Sequence, residues 1–162
     1  MCFVSRAQVP SKSKATAGNT SNCVDLDTFL HAPVDGAAGT LAERVALSIA
    51  ALGENITVRR VAEYAVSGNG VIGHYTHGVG TYVALVGLEG GGDGATAAQL
   101  ANKLAQQVVA VDPGEGGVEA LLSSPYLFDG ARTVNDVVAA EAPGATVSGY
   151  LRWGISDDVS SD

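Results

Sequence analysis

The chain has 162 residues and carries 9 Lys and Arg against 17 Asp and Glu, a formal charge of −8 that argues against a nucleic-acid phosphate as its main partner. At 46% apolar and 16% charged residues it has enough hydrophobic surface for a core and too little charge for a disordered polyelectrolyte, so it is expected to fold. Only 6% of residues are aromatic while glycine supplies 21, which leaves Ala, Val and Leu to build the core and favours close backbone packing.

No stretch approaches the roughly 18 to 20 apolar residues of a membrane helix, so no membrane partner is expected. Met1-Cys2-Phe3-Val4-Ser5-Arg6 lacks the basic start and long apolar run of a signal peptide. Cys2 and Cys23 have no C-x-x-C spacing, which indicates neither a disulfide framework nor a structural zinc site and makes a reducing compartment the expectation. Phe3-Val4-Ser5-Arg6 reads like the inside of an element rather than a tail, so the true beginning of the protein is expected to be missing.

Residues 10–25 are small and polar without helical or alternating period and are expected to form a flexible segment. Leu26, Phe29 and Leu30 have the i, i+3, i+4 spacing of a short helical turn before the loop Pro33-Val34-Asp35-Gly36. Thr40 with Glu43 forms a capping box, Leu41, Val45, Ile49 and Leu52 share one face, and Gly53 supplies a left-handed stop, which together predict a helix. A strand is expected over 56–64, with a bulge after Arg59-Arg60 where the alternation changes phase. Beyond the turn Ser67-Gly68-Asn69-Gly70, residues 71–75 and 81–88 form a hairpin around His77-Gly78-Val79-Gly80. Thr96 with Gln99 repeats the capping-box signature before Leu100, Leu104 and Val108, and Asp112-Pro113-Gly114 ends that helix. A shorter helix runs from the cap Thr133 to about Glu141, and the last strand covers 147–153. This order predicts an α+β fold of two small subdomains, 1–67 and 68–162, each with helices on one face of an antiparallel sheet.

Candidate chemistry is sparse. His74-x-x-His77 is the most enzyme-like pair, but strand residues three apart point to opposite faces and no nearby Cys or carboxylate completes a ligand set, so no metal is expected. His77 reads better as an exposed polar group at a hairpin tip, where recognition residues commonly sit. The glycine run 90–94 lacks the Gly-Lys-Ser/Thr ending of a phosphate loop, there is no G-x-S-x-G elbow, and no paired carboxylates lie in an apolar context. Leu52-Gly53-Glu54-Asn55-Ile56-Thr57-Val58-Arg59-Arg60 has two equal readings. It is either a plain helix stop followed by a strand, or a rigid corner that presents Gly53, Glu54 and Asn55 to a partner.

These same segments carry a family resemblance. Residues 52–60, then Gly73-His74-Tyr75-Thr76-His77-Gly78, then Pro125-Tyr126-Leu127-Phe128, Thr133-Val134 and Ser148-Gly149-Tyr150-Leu151-Arg152-Trp153, resemble in order the motifs of translation elongation factor Ts, the guanine-nucleotide exchange factor of elongation factor Tu. Cys2-Phe3-Val4-Ser5-Arg6 is similar to a segment the family writes Thr-Asp-Phe-Val-Ser-Arg. The family's small N-terminal helical domain and two first-subdomain strands are absent from this sequence, and Cys2 stands where an aspartate is expected. The helical hairpin that bacterial members insert before the Pro-Tyr/Phe motif is also absent, which resembles mitochondrial members.

The resemblance implies a non-enzymatic, mitochondrial exchange factor that needs no cofactor and binds a protein GTPase, elongation factor Tu, without gripping nucleic acid. It implies that Phe3 and His77 act beside the GTPase's magnesium and phosphate site, and that Gly53, Glu54 and Asn55 face its nucleotide domain. Tyr75 joins this partner-binding set through the hairpin motif. The alternative is a structural or assembly subunit that reuses the same fold.

Overall fold

The computed structural model describes residues 21–23, 25–36, 38–91 and 94–157. In chain order its elements are β1 (Ser21–Cys23), α1 (Leu26–His31), α2 (Leu41–Leu52), β2 (Ala62–Tyr64), β3 (Val71–His77), β4 (Tyr82–Glu89), α3 (Gly94–Val111), a 3-10 turn (Gly114–Gly116), α4 (Gly117–Ser123), β5 (Pro125–Tyr126), β6 (Asp129–Thr133), α5 (Val134–Glu141) and β7 (Thr146–Gly154). The sheets are antiparallel where their register is defined, and the class is the α+β fold expected from the sequence. The chain divides into two compact units, Asn22–Glu63 and Tyr64–Asp157.

In the first unit the Thr40 hydroxyl accepts from the Glu43 amide at 3.3 Å and the Glu43 carboxylate accepts from the Thr40 amide at 2.8 Å, so the capping box at the start of α2 is complete. Gly53 closes the helix in the left-handed region at φ 71°, its amide bonded to the Ile49 carbonyl at 2.9 Å. Helix α1 begins under the Asp25 cap, which accepts from the Thr28 amide at 2.8 Å. The expected strand over 56–64 is shorter than its pattern. Ile56 and Val58 are half-buried and Thr57 and Arg59 exposed, as a strand would have them, but only Ala62–Tyr64 enters a sheet, pairing with β1. Alternation is a property of one chain, whereas a ladder requires a second strand in register, so the expected bulge after Arg60 has no ladder to interrupt.

The second unit is built on a three-stranded sheet of order β3-β4-β7. Val71, Gly73 and Tyr75 on β3 stand opposite Leu88, Val86 and Ala84 on β4, and β7 adds Val147 opposite Leu88 and Tyr150 opposite Val86. This face meets α3, whose buried residues Ala97, Leu100, Ala101, Leu104, Ala105 and Val108 recur at helical spacing. Leu121 of α4, Tyr126 of β5 and Val134, Val137 and Val138 of α5 close the core. Each fully buried Leu or Val side chain contributes roughly 1.5–3 kcal/mol, so the stability of this unit resides in that layer.

Helix α3 starts at Gly94, two residues before the expected cap. Thr96 therefore lies inside its first turn, and the Thr96/Gln99 pair is not a capping box at the helix entry. The segment between α3 and α5 holds α4 and the β5–β6 hairpin. Val118, Leu121 and Leu122 carry the i, i+3, i+4 spacing of that helix, masked by Gly114, Gly116 and Gly117 just before it.

Helix α5 has its own capping box. The Asp136 carboxylate accepts from the Thr133 amide at 3.0 Å and the Thr133 hydroxyl at 2.7 Å, and these hydrogen bonds hold its carboxyl below the ordinary aspartate range. The Arg132 guanidinium, 2.8 Å from Asp129, does the same for that residue. A carboxylate with a lowered folded pKa stabilises the fold above its unfolded value and loses that contribution as pH falls through the folded one. Thr133→Ala is therefore expected to cost about 1 kcal/mol at neutral pH, and the deficit should shrink on acidification below the ordinary aspartate range. Urea denaturation at several pH values checks this; a deficit that stays constant into acid would contradict it.

Candidate functional site

The residues of the hairpin motif gather at one end of the three-stranded sheet. Tip residues Gly78 and Gly80 adopt φ 59° and 89°, a region that glycine enters at no steric cost. The His77 carbonyl accepts from the amides of Gly80 at 3.2 Å and Thr81 at 3.0 Å, which fixes the backbone where the chain reverses. Tyr75 and His77, two apart on β3, share the face that meets α3. Tyr75 packs on the core and its hydroxyl lies 3.2 Å from His77 Nδ1, while the imidazole itself is exposed.

Opposite His77 stands Tyr82, and the guanidinium of Arg152 lies 4.6 Å from the centre of its ring. Arg152 also pairs with Asp112 at 3.0 Å, and the Tyr150 hydroxyl donates to the Gly114 carbonyl at 3.3 Å. Burial pushes the Tyr150 phenol above its ordinary value, with the Asp112 charge adding to the effect and Arg152 opposing it. These contacts tie β7 to the end of α3 and brace the hairpin end from the side. Two large apolar residues lie there in water: Val79 at the apex, 106% exposed, and Ile155, 68% exposed, whose amide donates to the Thr81 carbonyl at 2.9 Å. Sequence reasoning missed both. A β-branched residue between two turn glycines was the available signal for Val79, since hairpin apices otherwise favour polar side chains.

The remaining candidate residues lie elsewhere. Gly53, Glu54 and Asn55 are exposed in the first unit, directly after α2. A side chain at Gly53 would meet nothing within 4 Å, so its conformation and not its packing demands glycine. Phe3 lies outside the described residues. His74 and His77 point to opposite faces of β3. Among the described residues no group of three or more His, Cys, Asp and Glu is placed to share a metal ion, and no helix is long and apolar enough to cross a membrane. What the hairpin end can do chemically is to offer a hydrogen-bonding imidazole beside exposed apolar side chains on a braced backbone, which suits recognition.

Comparison with known proteins gives the family. The family model Elongation factor TS matches residues 6–115. A mitochondrial elongation factor Ts of Nematostella vectensis is 35% identical over 70% of this chain and 46% of its own length. One from Salmo salar is 32% identical over 94% of this chain and 54% of its own length. An elongation factor Ts of Methylocella silvestris is 35% identical over 65% of this chain and 35% of its own. The chain thus spans about half the length of the first two relatives. Both of those carry a mitochondrial name, in agreement with the mitochondrial type read from the missing helical hairpin. With most of the sequence inside the family model, one relative 32% identical over 94% of the chain and another 35% identical over 70% of it, this chain belongs to the elongation factor Ts family.

Proposed function

We propose that the protein promotes GDP release from elongation factor Tu during mitochondrial translation, without making or breaking a covalent bond. The observation that carries this reading is the coincidence of family membership with a braced hairpin end that presents His77, the motif residue expected at the contact. The mechanism is differential binding. A factor that binds the nucleotide-free GTPase more tightly than the GDP form accelerates GDP loss, and GDP weakens the factor's binding by the same factor. His77 and Phe3 act beside the magnesium and phosphate site, Gly53, Glu54 and Asn55 face the nucleotide domain, and Tyr75 supports the tip. The net charge of −8 is compatible with a protein partner and unfavourable for RNA.

Stopped-flow release of a fluorescent GDP analogue from mitochondrial elongation factor Tu tests the proposal. Catalytic amounts of the chain should accelerate release, and His77→Ala or Phe3→Ala should slow the accelerated rate roughly tenfold while circular dichroism stays unchanged. Binding to the nucleotide-free GTPase with no acceleration of release would instead favour the structural or assembly role.

A further inference from the structure

We infer that Tyr75 is a positioning residue that locks His77 in one neutral tautomer, so that the hairpin tip presents an Nε2–H donor to its partner. The inference rests on the exchange-factor reading only for the identity of that partner. The Tyr75 ring is held by the core and cannot follow the tip, yet its hydroxyl reaches His77 Nδ1 at 3.2 Å, with the ring centroids 6.1 Å apart and the planes tilted by 47°. The His77 main chain is equally fixed by the two turn hydrogen bonds to its carbonyl. An imidazole anchored at its backbone and at one ring nitrogen has little freedom left about χ1 and χ2.

The direction of the hydrogen bond follows from acidity. A phenol is a stronger hydrogen-bond acid than a neutral imidazole N–H, and the unprotonated imidazole nitrogen is the stronger base, so the Tyr75 hydroxyl donates and Nδ1 accepts. The ring proton of neutral His77 then resides on Nε2, the nitrogen away from Tyr75. With His77 exposed, that nitrogen is available to an outside acceptor, so the tip selects an oxygen of the partner: a carbonyl, a carboxylate or a phosphate. Val79, two residues on and fully in water, adds an apolar contact beside it. A histidine free to exchange tautomers would present a donor only part of the time and would lose affinity in proportion.

Long-range proton–nitrogen correlation spectra of the full 15N-labelled chain, recorded where the imidazole is neutral and assigned with His77→Gln, test the inference directly. The wild type should show His77 as a single tautomer with Nδ1 bare and Nε2 protonated. Tyr75→Phe, which keeps the ring in the core, should shift both nitrogens toward the averaged values of two exchanging tautomers. A wild-type spectrum with the proton on Nδ1, or one unchanged in Tyr75→Phe, would overturn the inference. In the GDP-release assay Tyr75→Phe should slow release roughly three- to tenfold and add nothing on a His77→Ala background. Additive effects would overturn the claim that Tyr75 acts through His77. An unaffected rate in His77→Ala would remove His77 from the exchange mechanism, a chain that does not accelerate release at all would remove the exchange reading, and in either case the spectra would still decide the tautomer.

Discussion

Gly73→Ala is expected to destabilise the protein by about 3 kcal/mol or more, toward the upper end of what overpacking a core costs. Gly73 is buried in the middle of β3, where α3 crosses the sheet. A Cβ there would lie inside the van der Waals envelope of the Ala101 carbonyl group and 2.5 Å from the Asn102 nitrogen. These are main-chain atoms of a helix, so no rotamer change relieves the clash and the whole helix must retreat. Retreat would open the interface formed by Leu100, Leu104 and Ala105. It would also lengthen the hydrogen bond of 2.9 Å that the Asn102 side chain accepts from the His74 amide at the sheet edge. Gly130→Ala is the matched control, because a side chain there meets nothing within 4 Å and the backbone is not left-handed. Chemical denaturation should show a large fall in midpoint for Gly73→Ala and almost none for Gly130→Ala. Equal midpoints would mean that the helix–sheet contact is slack.

Gln107→Leu should cost about 2 kcal/mol despite adding an apolar side chain of similar size to an apolar layer. The Gln107 amide is fully buried and fully engaged. Its Oε1 accepts from the Leu127 amide at 2.6 Å, and its Nε2 donates to the Pro125 carbonyl at 2.9 Å and the Ser124 hydroxyl at 3.0 Å. Leucine would leave a backbone donor and acceptor of the β5–β6 hairpin without protein partners, and each such loss costs about 1–3 kcal/mol when water cannot replace the bond. The turn that Gln107 fastens carries Leu127 and Phe128, each about half exposed, with Phe128 against the buried Tyr126 ring at 5.3 Å. Hydrogen exchange at the Leu127 amide should therefore accelerate in Gln107→Leu by more than global stability predicts. Gln107→Glu separates the roles, since a carboxylate keeps the acceptor but cannot donate to Pro125 and Ser124; it should be no better than leucine. A neutral or stabilising Gln107→Leu would show that water replaces the amide without loss.

Both predictions depend on residues whose role is invisible without the fold. Gly73 is one glycine among 21, in a strand where glycine ordinarily signals only weakened pairing, and its partner Ala101 is 28 residues away. Gln107 looks like a solvated residue on a helix, and its partners lie 17 to 20 residues on. The hairpin end divides in the same way. Its His77 and turn glycines stand in the sequence beside a recognisable motif. Its bracing by Arg152 and Asp112 and the apolar pair Val79 and Ile155 come from segments that meet only when β7 joins β4.

What the sequence by itself determined about this protein is therefore local, together with its family. The capping box of α2, its Gly53 stop, the 71–88 hairpin, the core face of α3 and the Thr133 cap are all written in residues within a few positions of one another, because helix ends and turns are closed by neighbours. Only the tertiary structure decided which alternating segments become strands. Residues 71–77 and 82–89 found partners in register, whereas 56–60 kept its alternation outside any sheet. Tertiary structure also turned an unremarkable glycine and glutamine into packing and hydrogen-bonding centres, because a close approach or a buried amide is satisfied by atoms that the chain brings together only on folding.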